Sequence, residues 1–335
     1  MSKKFEPITD YDGKSVMVTG GTGSFGHAFV KRVLADYKPR RLIVYSRDEL
    51  KQFEMARKFN NPAMRFFLGD VRDEGRLRRA MRGVDVVIHA AALKQVPAAE
   101  YNPIECIKTN VLGAENIINT AIDVGVKKVV ALSTDKAVNP TNLYGATKLC
   151  SDKLFTAGNN LSGEGGTVFS VVRYGNVIGS RGSVIPMFKE MAKSRVLPIT
   201  DERMTRFWLS IDEGVMFVNN CLGMMRGGET FVPKIPSMKI IDLAKTICPD
   251  CEFEFIGIRP GEKLHEVMVP RDEARNTLEY SGFYIIKPSF QKWAKDDPML
   301  YLGEKGKVVK DGFEYSSDTN TTWMSPEQLQ EVLVE

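Results

Sequence analysis

The feature that most constrains this chain is the segment Thr19-Gly20-Gly21-Thr22-Gly23-Ser24-Phe25-Gly26. It follows directly on the apolar run Ser15-Val16-Met17-Val18 and opens an amphipathic stretch in which Phe25, Phe29 and Val33 share one face. The glycines Gly20, Gly23 and Gly26 permit a tight turn, let backbone approach a pyrophosphate and let helix pack on strand. The helix N-terminus then faces the phosphates. The G-x-x-G-x-x-G spacing is weak alone and gains weight from standing between a first strand and a first helix.

The strand–helix rhythm continues. Apolar runs at 41–45, 64–68, 84–89, 127–132 and 168–172 lack strict polar alternation, as strands buried on both faces of a parallel sheet do. Between them, Ile107, Val111, Ala114, Ile118 and Ile122 form a helix face after Asn102-Pro103, with the proline fitting the first turn. The pattern predicts an α/β, doubly wound parallel sheet of the Rossmann type. From about residue 181 Pro186, Pro198, Pro233, Pro236, Pro260 and Pro270 punctuate shorter elements. The expectation is a dinucleotide-binding domain over 1–180. A smaller mixed substrate-binding region over 181–335, with an approximate and interleaved boundary, covers the carboxyl edge of the sheet.

Composition matters mainly for what it excludes. With 335 residues, 43% hydrophobic and 26% charged, the chain can bury a large core and is not disordered as a whole. A net charge of +4 does not call for nucleic acid or an anionic membrane as partner. Cys106, Cys150, Cys221, Cys248 and Cys251 are odd in number and scattered, which reads as no disulfide framework and a reducing, cytoplasmic setting. Cys248-Pro-Asp-Cys251 has no second pair and reads as two ordinary thiols. Residues 1–12 are charged without an apolar core, unlike a signal peptide, and no apolar run is long enough to span a bilayer. No metal is expected: His265-Glu266 lacks the second histidine of a zinc motif. His27 and His89 read as packing residues, and Phe207-Trp208 as core.

The end of the second strand bears on which dinucleotide binds. It reads Ser46-Arg47-Asp48-Glu49-Leu50-Lys51. Arg47 and Lys51, with the Ser46 hydroxyl, suit a ribose 2′-phosphate, whereas Asp48 keeps a 2′-hydroxyl open. The balance favours NADP over NAD. Asp70, after the third strand, suits the adenine amino group.

The reactive groups cluster after the fifth strand, in Leu132-Ser133-Thr134-Asp135-Lys136 and in Tyr144-Gly145-Ala146-Thr147-Lys148. Tyr144 and Lys148 are four apart and share a helix face, where an ammonium favours tyrosinate. A hydroxyl, a tyrosine and a lysine beside a nicotinamide can take the proton of an alcohol as hydride leaves its carbon. On the substrate side, Arg181, Arg206 and Arg259 suit a diphosphate. Asn110 reads as a link from helix to sheet through its amide.

With these residues in place, the chain resembles the extended short-chain dehydrogenase/reductases that act on nucleotide sugars. The segments TGGTGSFG (19–26), YSRDELK (45–51), GDVRD (69–73), HAAALKQVPAAEYNP (89–103), LSTDKAVNPTNLYGATK (132–148), RYGNVIGSRGSVIP (173–186), TDERMTRFW (200–208) and RPGEKLHEVM (259–268) carry the likeness over nearly the whole length. They are most similar to the inverting UDP-N-acetylglucosamine 4,6-dehydratases of the pseudaminic acid branch, a pathway of flagellin glycosylation. Asp135-Lys136 is the inverting pattern; retaining relatives carry Asp-Glu there and 4-epimerases lack the pair. Tyr144, a methionine in the capsule-type inverting dehydratases, favours the pseudaminic acid branch. Gln95, often His in that branch, is a small departure.

The resemblance implies a lyase in which Tyr144 deprotonates the C4 hydroxyl as hydride passes to NADP. Lys136 removes the C5 proton and Asp135 protonates the departing C6 hydroxyl. Hydride then returns to C6 and C5 is reprotonated on the opposite face, giving UDP-2-acetamido-2,6-dideoxy-β-L-arabino-hexos-4-ulose. A lysine base calls for a lowered pKa, from burial or from cations such as Lys148. The resemblance adds Thr22, Ser24, Phe25, Glu49, Leu50, Val71, Ala90, Leu132 and Ser133 to the cofactor contacts. To the substrate contacts it adds Lys94, Asn176, Gly182, Ser183, Val184, Thr200 and Glu262. It implies a homo-oligomer, a hexamer being one such arrangement. The rival readings are a capsule-type inverting dehydratase, a UDP-N-acetylglucosamine 4-epimerase, and a non-catalytic NADP-binding regulator; intact Tyr144 and Lys148 argue against the last.

Overall fold

Each apolar run becomes a strand because neither of its faces meets water. The computed structural model describes residues 9–180, 182–288 and 300–334. In it β1 (Ser15–Thr19), β2 (Arg41–Ser46), β3 (Met64–Leu68), β4 (Val86–His89), β5 (Lys128–Thr134) and β6 (Val168–Tyr174) pair in parallel, in the order β3-β2-β1-β4-β5-β6. Side-chain alternation along the strands splits the core. Val16, Val18, Val44, Ile88 and Val130 join one cluster, while Met17, Ile43, Val87, Val129 and Ala131 join another. The first is covered by α1 (Ser24–Asp36) through Phe29, Val30 and Val33. α2 (Glu49–Lys58) follows β2. The second cluster is covered by Leu77 of α3 (Glu74–Ala80) and by helices from the middle of the chain. The result is the predicted doubly wound α/β fold.

The long helix expected after Asn102-Pro103 is interrupted. α4 (Val96–Tyr101) and α5 (Pro103–Ile107) lead into a π-helical turn, Lys108–Leu112, and only then α6 (Gly113–Val124). The wider turn rotates the stripe. Ala114 and Ile118 are buried as expected, but Ile107, Val111 and Ile122 are half-buried, and Cys106, Thr109, Asn110 and Ile117 take the inward places. Asn110 supplies the reason. Its Oδ1 accepts from the Leu93 N–H at 2.8 Å, and its Nδ2 donates to the Leu93 carbonyl at 2.9 Å and to Thr147 Oγ1 at 3.0 Å. One inserted residue aims the amide at the loop after β4 and at α7 (Leu143–Ser162).

Beyond residue 181 the chain returns to the same sheet. Thr230–Pro233 pairs in parallel with β6, and Phe283–Ile286, Thr277–Glu279 and Lys307–Val308 extend the sheet antiparallel to a total of ten strands. The helix Ile211–Met224 packs beside α1, so Phe217 and Phe231 share a core with Phe29. The intervening segments build a third cluster around Phe188, Leu197, Trp208 and Leu243, next to the carboxyl ends of the central strands. Phe207 and Trp208 are fully buried.

One expectation is corrected. Cys248 and Cys251 form a disulfide rather than two thiols. Cys248 ends the helix Ile240–Ile247 and the Cys251 N–H donates to its carbonyl, so a single tight turn brings the two Cα atoms to 5.4 Å. Cys106, Cys150 and Cys221 are free. No helix among the described residues is long and apolar enough to cross a membrane.

Candidate active site

A cleft of about 1260 Å³ runs along the carboxyl ends of the strands, across the crevice where the strand order reverses between β1 and β4. Gly20, Thr22, Gly23, Ser24 and Phe25 form its floor on the β1 side. Gly20 has a left-handed φ of +65°, and a Cβ there would come within 2.9 Å of Ala91. The N-cap of α1 is Gly23, which has no side chain to cap with, and no acidic residue stands in the first turn. That end of the helix is shaped for an anion. Gly26 packs inside α1 against Gly21 and does not line the cleft.

Ser46, Arg47, Asp48, Lys51, Asp70, Val71, Ala90, Leu132 and Ser133 also line it; Glu49 and the exposed Leu50 do not. Asp48 caps α2, accepting from the Lys51 N–H, and pairs with Lys51 Nζ at 2.6 Å. Its carboxylate is engaged within its own turn. Arg47 is half-exposed, its guanidinium 3.4 Å from Asp70 Oδ2. Asp70 also takes Arg72 at 2.7 Å; burial raises its pKa, and the Arg72 hydrogen bonds reverse this and hold it below the usual carboxylate value. A pyrophosphate at the α1 N-terminus and a second anion at Arg47 both fit the residues present.

The reactive groups meet at the end of β5. Asp135-Lys136 begins a short 3₁₀ turn after Thr134, and α7 starts seven residues later. Gly145 makes the meeting physical: a Cβ there would lie 2.2 Å from the Lys136 carbonyl oxygen, so only glycine lets the first turn of α7 press on this segment. Lys136 Nζ donates to Asp135 Oδ1 at 3.0 Å and to Asn176 Oδ1 at 3.3 Å, and lies 3.4 Å from Glu266 Oε1. Thr134 Oγ1 donates to Asp135 Oδ1 at 3.0 Å. Thr134, Lys136, Tyr144 and Lys148 line the cleft, while Asp135 is wholly buried behind it with Oδ2 lacking a hydrogen-bond partner.

The electrostatics differ from expectation in two respects. Lys136 was expected to be lowered by burial and by Lys148. Burial does pull it down, but Asp135 and Glu266 more than reverse this, and its pKa lies above the ordinary lysine value. Burial pushes Tyr144 up to about 12, and the cation that pulls it back is Lys136, assisted by the Thr134 hydroxyl. Lys148, one turn on, is lowered by burial and partly restored by Asp152. Asp152 in turn accepts from Ser133 Oγ at 2.6 Å. Burial raises the Asp135 carboxyl. His89 is buried against Thr19, with its pKa pushed down to about 3 by burial and by Lys148, so it is a neutral packing residue.

On the opposite wall stand Lys94, Asn176, Gly182, Ser183, Val184, Thr200, Arg206, Arg259 and Glu262; Arg181 lies outside the described residues. Arg206 is almost fully buried, donating to the carbonyls of Thr205, Lys263 and Leu264. Arg259 is half-exposed and faces Glu262 at only 3.9 Å, which leaves its guanidinium accessible to an anion. Sequence reasoning passed over Glu266, weighed there only as half of a zinc motif. It lines the cleft, 2% exposed, within 4 Å of Lys136, Arg206 and Lys263. The available signal was a charged residue set against the apolar strand residues Val267-Met268-Val269. Among the described residues no group of three or more histidine, cysteine, aspartate or glutamate side chains is placed to hold a metal.

A family profile described as "Polysaccharide biosynthesis protein" matches residues 16–288. The chain is 58% identical over 327 residues to an inverting UDP-N-acetylglucosamine 4,6-dehydratase of Campylobacter jejuni, covering 96% of this chain and 98% of that one. A UDP-glucose 4-epimerase of Rickettsia felis is 42% identical, with 96% and 95% covered. Among solved structures, Pen from Bacillus thuringiensis superposes with a TM-score of 0.87 at 36% identity, covering 97% of this chain and 98% of that one. DesIV, a dTDP-glucose 4,6-dehydratase of Streptomyces venezuelae with NAD bound, superposes at 0.67 and 26% identity, over 75% and 86%.

Proposed function

The chain belongs to the polysaccharide biosynthesis protein family, and from that premise we propose that it is an NADP-dependent UDP-N-acetylglucosamine 4,6-dehydratase that inverts C5, the first step of pseudaminic acid formation. The observation that carries this reading is the pairing of Lys136 Nζ with Asp135 at 3.0 Å in the cleft that also holds Tyr144. A 4-epimerase has no use for a buried acid beside a cleft-lining amine. The name of the Campylobacter relative supports the same reading.

Bound NADP supplies a hydride acceptor for C4 and, once reduced, a hydride donor for C6. The glycine turn and the α1 N-terminus would hold its pyrophosphate, and Arg47 its 2′-phosphate. Tyr144 takes the proton of the C4 hydroxyl. Burial makes its resting form a phenol, so it acts as the base only after giving its own proton to solvent in the cleft, an ionisation that the positive charge of Lys136 favours and that an oxidised nicotinamide would favour further. A ketone at C4 makes the C5 proton acidic. Lys136, as the amine, takes it, and the C5–H electrons become the C5=C6 double bond as the C6–O bond breaks.

The departing hydroxide takes the proton of Asp135, and when hydride is added at C6 the C5 carbon takes a solvent-derived proton on the face opposite the one it lost. Because Asp135 is buried behind the wall, its own proton travels through the Thr134 hydroxyl, to which it is hydrogen-bonded. The resting pair is an ammonium with a carboxylate. Moving one proton from Lys136 to Asp135 makes both groups neutral and gives each its working form, base and acid. The raised pKa of Asp135 favours that shift. Arg259 and Lys94 receive the diphosphate and sugar.

The test is nuclear magnetic resonance of the product formed from UDP-N-acetylglucosamine in deuterated water. A 6-deoxy-4-keto sugar with inverted, deuterated C5 is expected. A C4 epimer with intact C6–OH would overturn the reading in favour of an epimerase.

A further inference from the structure

We propose that Glu266 is the positioning residue of Lys136: its carboxylate holds the amine nitrogen against Asp135 at the cleft wall and ties it to the loop that carries Arg259. This rests on the reading of Lys136 as the C5 base.

The geometry leaves Glu266 little freedom. Its backbone N–H donates to Ser317 Oγ at 2.9 Å, and its carbonyl accepts from the Ser317 N–H at 2.8 Å. The side chain then reaches Lys136 with Oε1 at 3.4 Å and Arg206 Nε at 3.7 Å, while Oε2, buried without a hydrogen bond, faces Lys263 Nζ at 3.7 Å. A buried carboxylate with an open lone pair is retained only where a nearby cation compensates it. The loop itself is bolted to the catalytic segment. Thr141 Oγ1 and Asn142 Nδ2 donate to the Gly261 carbonyl at 3.1 and 2.8 Å, and Lys263 Nζ donates to the carbonyl of Val138. Arg206 fastens the other side of the loop through the carbonyls of Lys263 and Leu264. Any movement of the Arg259 end under a diphosphate is therefore felt at the Glu266 end.

The charged groups around Lys136 come from every neighbouring element: Asp135 on its own turn, Tyr144 on α7, Arg206 on the strand Thr205–Leu209, Lys94 after β4, and Lys263 with Glu266 on the loop. Without Glu266 the ammonium faces Arg206, Lys94 and Lys263 with only Asp135 to oppose them. Its proton is then held less tightly, and the amine forms at lower pH. Glu266 thus fixes where Lys136 sits and sets how readily it gives up its proton.

Two readouts test this in the full chain. The Lys136 ammonium is followed by ¹⁵Nζ-lysine resonance, assigned with Lys136→Met, and the pH dependence of kcat for 6-deoxy product is followed beside KM. In Glu266→Gln the Lys136 titration and the acid limb of kcat should both move to lower pH by about one unit. KM should change less than kcat. Glu266→Asp keeps the charge one methylene farther away and should shift both in the same direction by less, which covers the case in which the amide variant folds poorly. Titration and profile superimposed on wild type in a folded variant, with only lower amplitude or Tm, would overturn the proposal. If wild type forms no 6-deoxy product, the dehydratase reading fails, while the Lys136 titration still decides the role of Glu266.

Discussion

At the scale of single residues, the site depends on how closely the Lys136 amine and its counter-ions Asp135 and Glu266 are set. Lys136→Met keeps the length of the side chain and removes the amine. On the proposed mechanism oxidation at C4 keeps Tyr144, Lys148 and the nicotinamide but loses the positive charge of Lys136 that lowers the Tyr144 pKa, so it should slow and need higher pH without stopping. Elimination should fall about 10²–10⁴-fold, the usual worth of a positioned acid or base. Reduced cofactor should accumulate, read by its near-ultraviolet absorbance, and normal product formation would exclude Lys136 as the base. Arg47→Asp addresses the cofactor. Loss of one charge-assisted contact should weaken NADP by about 1.5–3 kcal/mol and leave NAD nearly unchanged, measured by titration calorimetry with each dinucleotide. The engagement of Asp48 with Lys51 supports this, since that carboxylate is turned to its own helix instead of to a ribose. Tyr144 and Arg47 were readable as candidates, the one from its spacing to Lys148 and the other from its place after a strand end, while the role of Lys136 came from the resemblance. Glu266 was not readable, because its partners Lys136 and Arg206 lie 130 and 60 positions away and no local pattern links them.

At the scale of elements, the π-helical turn Lys108–Leu112 is the least regular piece of the sheet's cover and the one most directly tied to the site. The regular 3.6-residue period predicts an unbroken helix there, and a period cannot register one extra residue that tertiary hydrogen bonds demand. Asn110→Ala removes the acceptor for the Leu93 N–H and the donor for its carbonyl, as well as the contact to Thr147. Groups left unpaired in a buried position cost about 1–3 kcal/mol, so the midpoint of urea unfolding should fall with the slope unchanged. Lys94 stands next to Leu93, so substrate KM should rise as the loop after β4 loosens. An unbroken, fully stable helix in the variant would show the turn to be incidental.

At the scale of the whole molecule, the region after residue 181 completes the sheet. Val171 and Val172 of β6 pair with Thr230 and Phe231, and the buried Arg173 donates to the Met268 carbonyl and pairs with Glu273. A chain ending at residue 180 would present β6 as an open apolar edge and leave Arg173 with Asp152 but without the Met268 carbonyl and Glu273. It should therefore aggregate or lose its near-ultraviolet dichroism, while the full chain keeps both solubility and signal. Solubility with native dichroism in the shorter chain would show that residues 1–180 fold alone. The sharing of one core by both parts means that the Lys136–Glu266 pair joins two stretches of chain that fold as one unit.

Local chemistry sufficed to determine the glycine turn, the six parallel strands, the helix face of Phe29 and Val33, and the grouping of Thr134, Asp135, Lys136, Tyr144 and Lys148. These depend on strand period, turn geometry and short separations, all of which are written in neighbouring residues. The tertiary structure alone decided the π turn at Asn110, the disulfide of Cys248 with Cys251, the return of four strands to the sheet after residue 181, and the raised pKa of Lys136 beneath Glu266. Hydrogen bonds and fields act through space and are set by whatever the fold brings within a few ångströms. Lys136 is read as a base from the resemblance, and it is held as a cation first by its sequence neighbour Asp135 and then by Glu266, which only folding supplies.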